Sequence, residues 1–274
     1  MITFEKYTEI FNEVKKCIND TLIHTKETAL ENYILFLANA EYKEECDNPQ
    51  SEMNPYIIDD QIEDFKDENR LRFLVDFLRK YYSFPEPQTI AENDEYRFNI
   101  ELMIYTHIWE SKPFLKKLFR LAQLGNLEPY CWNVNVPEMR KSVFIEKDIK
   151  KTLKKNKNPL FAVIEKGFHS SLRNAFAHSE YVFDTSNENC RIWLGNRKRS
   201  KGEINDILFD DWSQKFVYSV LLSYHLIAIS DQHRKNLVQE IGKDIYTINY
   251  PFIIYKNVEI IYRPETNEFI FNRK

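Results

Sequence analysis

Histidines, cysteines and the basic residues beside them are the side chains of this 274-residue chain that could carry acid–base, metal or nucleophilic chemistry, and their spacing removes most of those options. No H-E-x-x-H or H-x-D pattern and no cluster of acidic ligands accompanies His24, His107, His169, His178, His225 or His233, so the sequence signals no metal and no other cofactor. Cys17, Cys46, Cys131 and Cys190 stand 29, 85 and 59 positions apart without a C-x-x-C pair, which signals neither a zinc site nor a disulfide framework. There is no Gly-rich phosphate loop, G-x-S-x-G elbow or Walker lysine. His107 and His225 fall in helical stretches among aromatics, where a hydrogen-bonded core histidine is the ordinary role, and His24 precedes a predicted helix.

One segment stands apart, Phe168-His-Ser-Ser-Leu-Arg-Asn-Ala-Phe-Ala-His-Ser-Glu-Tyr181. On a continuous helix Arg173 and His178 sit roughly 140° apart and share no face. They converge only if the helix ends near Ala177 or if two chains meet. At a helix C-terminus the dipole favours the imidazolium of His178, which suits a group that takes and gives a proton near neutral pH. His169 and Arg173 are four apart and share a face, so His169 is a candidate second contact to phosphate, or else an ordinary surface histidine. The plainer alternative for the pair is structural: Arg173 bridges a carboxylate and His178 closes the helix.

Charge gives this segment a setting. The chain carries a formal −4, yet residues 140–201 hold fifteen Lys and Arg against six Asp and Glu, a local +9 that leaves −13 elsewhere. The excess lies in the run Lys147 to Lys157 and in Arg197-Lys-Arg-Ser-Lys201, on either side of the segment. Such a patch attracts phosphate while the acidic remainder suppresses promiscuous binding; a solvated lysine-rich helix face is the ordinary reading of either run alone.

Arg173, Asn174 and His178, with four residues between Arg and His, resemble the signature of the HEPN family: Arg, four to six residues, then His, commonly with a polar residue directly after the Arg. An amphipathic helix precedes the motif (Phe161, Ile164, Phe168, Leu172) and another follows it. The chain departs from one toxin branch, which places a Tyr two residues after the His; Glu180 stands there and Tyr181 follows. The resemblance implies a four- or five-helix bundle over roughly 91–243, and a homodimer with the two motifs facing each other across a two-fold interface. It further implies metal-independent cleavage of RNA, with catalytic roles for Arg173, Asn174 and His178. Lys150, Lys151, Lys154, Lys155, Arg197, Lys198 and Arg199 would then form RNA-binding walls. Tyr181, Trp193 and Trp212 would be available for base stacking, although packing is the ordinary role of these aromatics. By the same resemblance the chain would be a toxin or antiviral-defence effector, restrained by a regulatory or antitoxin protein. A non-catalytic module of this family that binds RNA, a nucleotide or a protein, and a helical scaffold without an active site, stay open beside it.

The elements that must position these residues are mostly helical. Hydrophobic residues make up 43% and aromatics 15% of the chain, with only five glycines, which fits a globular protein with a thick aromatic core rather than a turn-rich or disordered one. Apolar periodicity predicts helices over about 3–19, 21–46, 60–82, 92–124 with a possible kink at Pro113, 137–156, from Pro159 onward, and 210–241. Residues 181–184 and 190–194 read as a hairpin, and 250–255, 258–262 and 268–271 as C-terminal strands. The expected architecture is mainly α: an N-terminal helical region (1–90), the bundle (91–243) and a C-terminal β-hairpin appendage (244–274). A charged N-terminus and the polar residues inside the longest apolar run, Phe216 to Ile229, point to a cytoplasmic protein outside the membrane.

Overall fold

The computed structural model describes residues 2–43, 55–59, 61–84, 95–186, 190–195, 203–251 and 257–272. It is mainly helical with small antiparallel sheets. Helix α10 (Phe209–Lys235) is apolar almost all round, the pattern of a central helix, and buries Trp212, Phe216, Val217, Val220, Leu221 and Leu226 among others. Against it lie α1 (Phe4–Thr28), α2 (Leu30–Leu37), α3 (Gln61–Tyr81), α4 (Glu95–Glu110) and α8 (Pro159–Gly167). The first helices are therefore built into the core: α1 buries Ile10, Val14, Ile18 and Leu22 along α10.

Several predicted boundaries move, and the helix expected over 21–46 stops at Leu37, short of the strand residues Glu41–Tyr42. Helix α1 runs past residue 20 to Thr28 because the hydroxyls of Thr21, Thr25 and Thr28 bond back to the carbonyls of Cys17, Thr21 and His24 (2.8, 2.7 and 2.7 Å) instead of breaking the turn. This places exposed His24 inside the helix, and the break comes at Ala29 (φ −147°, ψ 66°). The stretch expected as one helix over 92–124 is two, α4 and α5 (Lys112–Gly125). Ser111 caps α5 by accepting from the Phe114 N–H (3.4 Å), and Pro113 sits in its first turn, where its missing N–H does no harm.

Residues 141–155 form one helical stretch as α6 (Lys141–Phe144), a π-helical segment (Ile145–Lys150) and α7 (Lys151–Lys155). Ile145, Ile149 and Leu153, spaced by four, are all fully buried. Steps of four drift off an α-helical face by about 40° each, and the wider π turn reduces that drift.

Strands β1 (Glu41–Tyr42) and β2 (Tyr56–Ile57) pair antiparallel. Strand β3 (Tyr181–Asp184) pairs antiparallel with β4 (Arg191–Leu194), as the hairpin reading had it, and β5 (Asp206–Leu208) adds a third strand. At the C-terminus β6 (Ile245–Asn249), β7 (Asn257–Arg263) and β8 (Glu268–Phe271) form a sheet in the order β6-β7-β8. Here a strand at Ile245–Asn249, which the sequence reading did not mark, precedes Tyr250, and residues 252–255 of the strand expected over 250–255 lie outside the described ones. Tyr246, Ile248, Ile260, Tyr262 and Phe269 are buried, and β6 lies on α2. The sheet is also tied to α10: the Arg234 guanidinium pairs with both oxygens of Asp59 (2.7 Å each), and Asp59 in turn accepts from the Phe269 N–H. No helix among the described residues is long and apolar enough to cross a membrane.

Candidate active site

The motif sits on α9 (Ser170–Ala177), a helix separate from α8. The sequence pattern runs on unbroken from Pro159, but Phe168 and His169 are extended, and His169 becomes the N-cap, its Nδ1 accepting from the Ser171 N–H (3.2 Å). The junction needs a small residue: a Cβ on Gly167 would stand 3.1 Å from Ser219 Oγ and 3.3 Å from its backbone nitrogen. Burial, with help from the neighbouring charges of Lys215 and Lys150, holds the His169 imidazole below its usual pKa. His169 is thus a capping group, not a partner of Arg173 on one helical face.

Helix α9 ends where convergence of Arg173 and His178 requires. His178 is its C-cap, and the Glu180 N–H bonds the Ala175 carbonyl (2.8 Å) while the Ser179 N–H bonds that of Phe176 (3.2 Å), with Ser179 left-handed at φ 54°. This pair of bonds is a Schellman closure. It leaves the His178 side chain exposed, with no hydrogen bond to any described residue.

Arg173 turns the other way, against α4. Its Nη2 pairs with the Glu110 carboxylate at the end of α4, and its Nη1 donates to Asn174 Oδ1 (2.8 Å). Glu110 is shared: Lys141 Nζ lies 3.3 Å from its other oxygen and donates to the Glu138 carbonyl (2.8 Å). The Arg173 side chain is 14% exposed and its Nε is buried without a hydrogen-bond partner among the described residues. Arg173 and His178 thus occupy the body and the end of one short helix without touching each other. Glu110 and Lys141 were not legible as site residues: Glu110 lies inside the stretch expected as one helix over 92–124, and nothing in the sequence pairs it with Arg173.

An aromatic stack fixes α9 to the core. Phe176 meets Trp212 at 4.9 Å and Tyr105 at 5.9 Å edge to face, and the Tyr105 hydroxyl accepts from the His169 N–H (3.0 Å). Tyr181 packs on Phe176 and Phe183 (5.4 and 5.6 Å), its hydroxyl on Asn99 Oδ1 (3.2 Å), and Trp212 is fully buried, its Nε1 donating to Glu101 (2.9 Å). These two aromatics are occupied in packing. Trp193 is 44% exposed.

The lysine run divides. Lys150 is buried between Glu146 and Glu165 (2.8 and 2.5 Å) and lies over the Phe168 ring, so it holds the π-helical segment to α8 and does not belong to an exposed row. Lys151, Lys154 and Lys155 are exposed, Lys154 over Phe161. Arg197, Lys198 and Arg199 lie outside the described residues.

Of the other histidines, His107 is exposed, contrary to its expected core role. His225 is buried between Phe11 and Tyr224, its Nε2 without a hydrogen bond, and burial lowers its pKa to about 4. His233 bonds the Tyr33 hydroxyl and Asn19 Oδ1 (2.9 Å each), a pairing a neutral ring satisfies. Among the described residues no group of three or more His, Cys, Asp or Glu side chains could hold a metal ion. No family model, curated protein or solved structure matches the chain significantly.

Proposed function

We propose that this chain is a metal-independent endoribonuclease of the HEPN type, acting as a homodimer in which two copies of α9 face each other. The observation that carries the reading is the end of α9 at Ala177: it sets at His178 an exposed imidazole without a partner among the described residues, a few residues from a guanidinium held in place by Asn174 and Glu110.

The chemistry follows from the residue types. His178 takes the proton from a ribose 2′-hydroxyl, whose oxygen attacks the adjacent phosphorus; the bond from phosphorus to the 5′-oxygen breaks, and that oxygen is protonated by the partner copy's imidazolium or by water. Products are a 2′,3′-cyclic phosphate and a 5′-hydroxyl. Arg173 binds the phosphate and the charge that grows on it, with Asn174 setting the guanidinium plane. For this, phosphate must take over the place Glu110 holds. DNA lacks the attacking hydroxyl and survives.

The Glu110–Arg173 pair favours a second reading, a non-catalytic module of the same family, because an arginine already neutralised within its own chain is also what a structural ion pair looks like. Cleavage of total RNA and tRNA in EDTA, with 2′-deoxy control strands, separates the two. Wild type is expected to leave cyclic-phosphate ends and His178→Ala none, with unchanged thermal stability, since His178 is exposed and bonds no described residue. A folded wild-type dimer that cuts nothing favours the module, and a strict monomer at micromolar concentration counts against a site shared by two chains.

A further inference from the structure

A hollow of about 600 Å³, within the size range of small-molecule sites, opens between α1, the α8–α9 junction, β5 and the first turns of α10. Ile204, Ile207 and Leu208 give it an apolar side, and His169, Gln214 and Lys215 a polar one. Most of the charge on its walls is already paired: Lys6 with Glu9 (2.9 Å), Lys166 with Glu13 (2.6 Å) and Asp206 with Arg191 (3.0 Å). Asp211 is exposed to solvent, which screens it.

Lys215 is different. It is half-buried, and its Nζ donates one hydrogen bond, to the Lys166 carbonyl at the end of α8 (3.3 Å), with no carboxylate in ion-pairing distance among the described residues. Glu165, which acts on it from α8, is itself taken by the buried Lys150. Burial outweighs the pull of Glu165 and Asp211 and holds the Lys215 ammonium below its ordinary pKa, as befits a cation kept from water without a close counter-ion. His169 offers a second donor. Its Nδ1 accepts from the Ser171 N–H and burial favours the neutral ring, so the proton sits on Nε2, which bonds no described residue. The charge of Lys150 reaches both groups and raises the positive potential there. Two donors without acceptors, beside an apolar wall, suit a group that only accepts and is negatively charged.

We propose that this hollow binds a free organic phosphate monoester, its phosphate on Lys215 and His169 and its apolar body against Ile204, Ile207 and Leu208. The site lies at the start of α9, the opposite end of that helix from His178, and does not depend on the ribonuclease reading.

Calorimetric titration of the full chain with phenyl phosphate, inorganic phosphate and phenol tests it. One phenyl phosphate is expected to bind per chain, with inorganic phosphate and phenol each about tenfold weaker or worse. Lys215→Met, which keeps the aliphatic stem, and His169→Asn, which keeps a helix-capping oxygen, are each expected to weaken phenyl phosphate about tenfold, and Arg173→Ala to leave it unchanged. Circular dichroism checks that the variants fold, and the comparison of the three ligands on the wild-type chain needs no variant. Absent or non-saturating binding, equal affinity for phenol or inorganic phosphate, or unchanged affinity in Lys215→Met or His169→Asn would each overturn the proposal. Loss of binding in Arg173→Ala with Lys215→Met unaffected would put the phosphate in the proposed ribonuclease site and overturn it as well.

Discussion

Arg173 meets two demands. It is held by a carboxylate, and the proposed chemistry needs it to hold a phosphate. If Glu110 competes with RNA, Glu110→Gln is expected to lower the KM for RNA in steady-state cleavage while leaving kcat near wild type. A fall in kcat would instead make Glu110 the group that positions the guanidinium. A double-mutant cycle on stability, Glu110→Gln with Arg173→Ala, is expected to give a coupling of about 1 kcal/mol, as for a partly screened pair. His225 gives a separate prediction. Its folded pKa, about 4, lies below the unfolded value, so the unfolded chain binds the extra proton first; stability is fully present above about pH 6.5 and drains as pH falls toward 4. Urea denaturation at about pH 7.5 and about pH 5 should show wild type losing about 2 kcal/mol more than His225→Phe.

At the level of elements, the Schellman closure of α9 is what frees His178, and Ser179 provides it from a conformation that glycine adopts more readily. Ser179→Gly is expected to raise stability by a few tenths of a kcal/mol to about 1, and Ser179→Val to lower it by about 1–2 kcal/mol. Thermal melts of the two variants check this, and cleavage should survive in the first. This end was legible in the sequence only as a change of pattern beyond His178, where the alternation of Tyr181 to Asp184 begins. The start was not, since a histidine side chain caps α9 in a run of apolar residues that reads as one helix from Pro159. The α4–α5 break was legible only as a kink at Pro113, because the capping serine sits two residues earlier. Strand β6 was overlooked for the alternating apolar residues after Tyr250, although Ile245, Tyr246 and Ile248 precede it. Lys150 looks in sequence like its neighbours; only the position of Glu165 on the next helix makes it a buried cross-link.

Across the whole molecule, the C-terminal sheet and the first helices share one core, and the buried Arg234–Asp59 pair is the charged tie between α10, the segment before α3 and the turn leading into β8. Arg234→Ala is expected to destabilise by about 3–5 kcal/mol, because it strands a buried carboxylate. Replacing both partners by apolar residues, Arg234→Met with Asp59→Leu, should recover much of that loss in chemical denaturation.

The seating of α1 along α10 also has a consequence in time. When the chain is made, α1 leaves the ribosome long before α10 exists, and at ordinary elongation rates its apolar stripe waits on the order of ten seconds or more for the helix that covers it. During that interval Ile10, Val14, Ile18 and Leu22 are an uncovered apolar stripe rather than a core. Trp212, against which Phe176 is stacked, also arrives with α10, so a nascent chain cannot set α9 firmly in place.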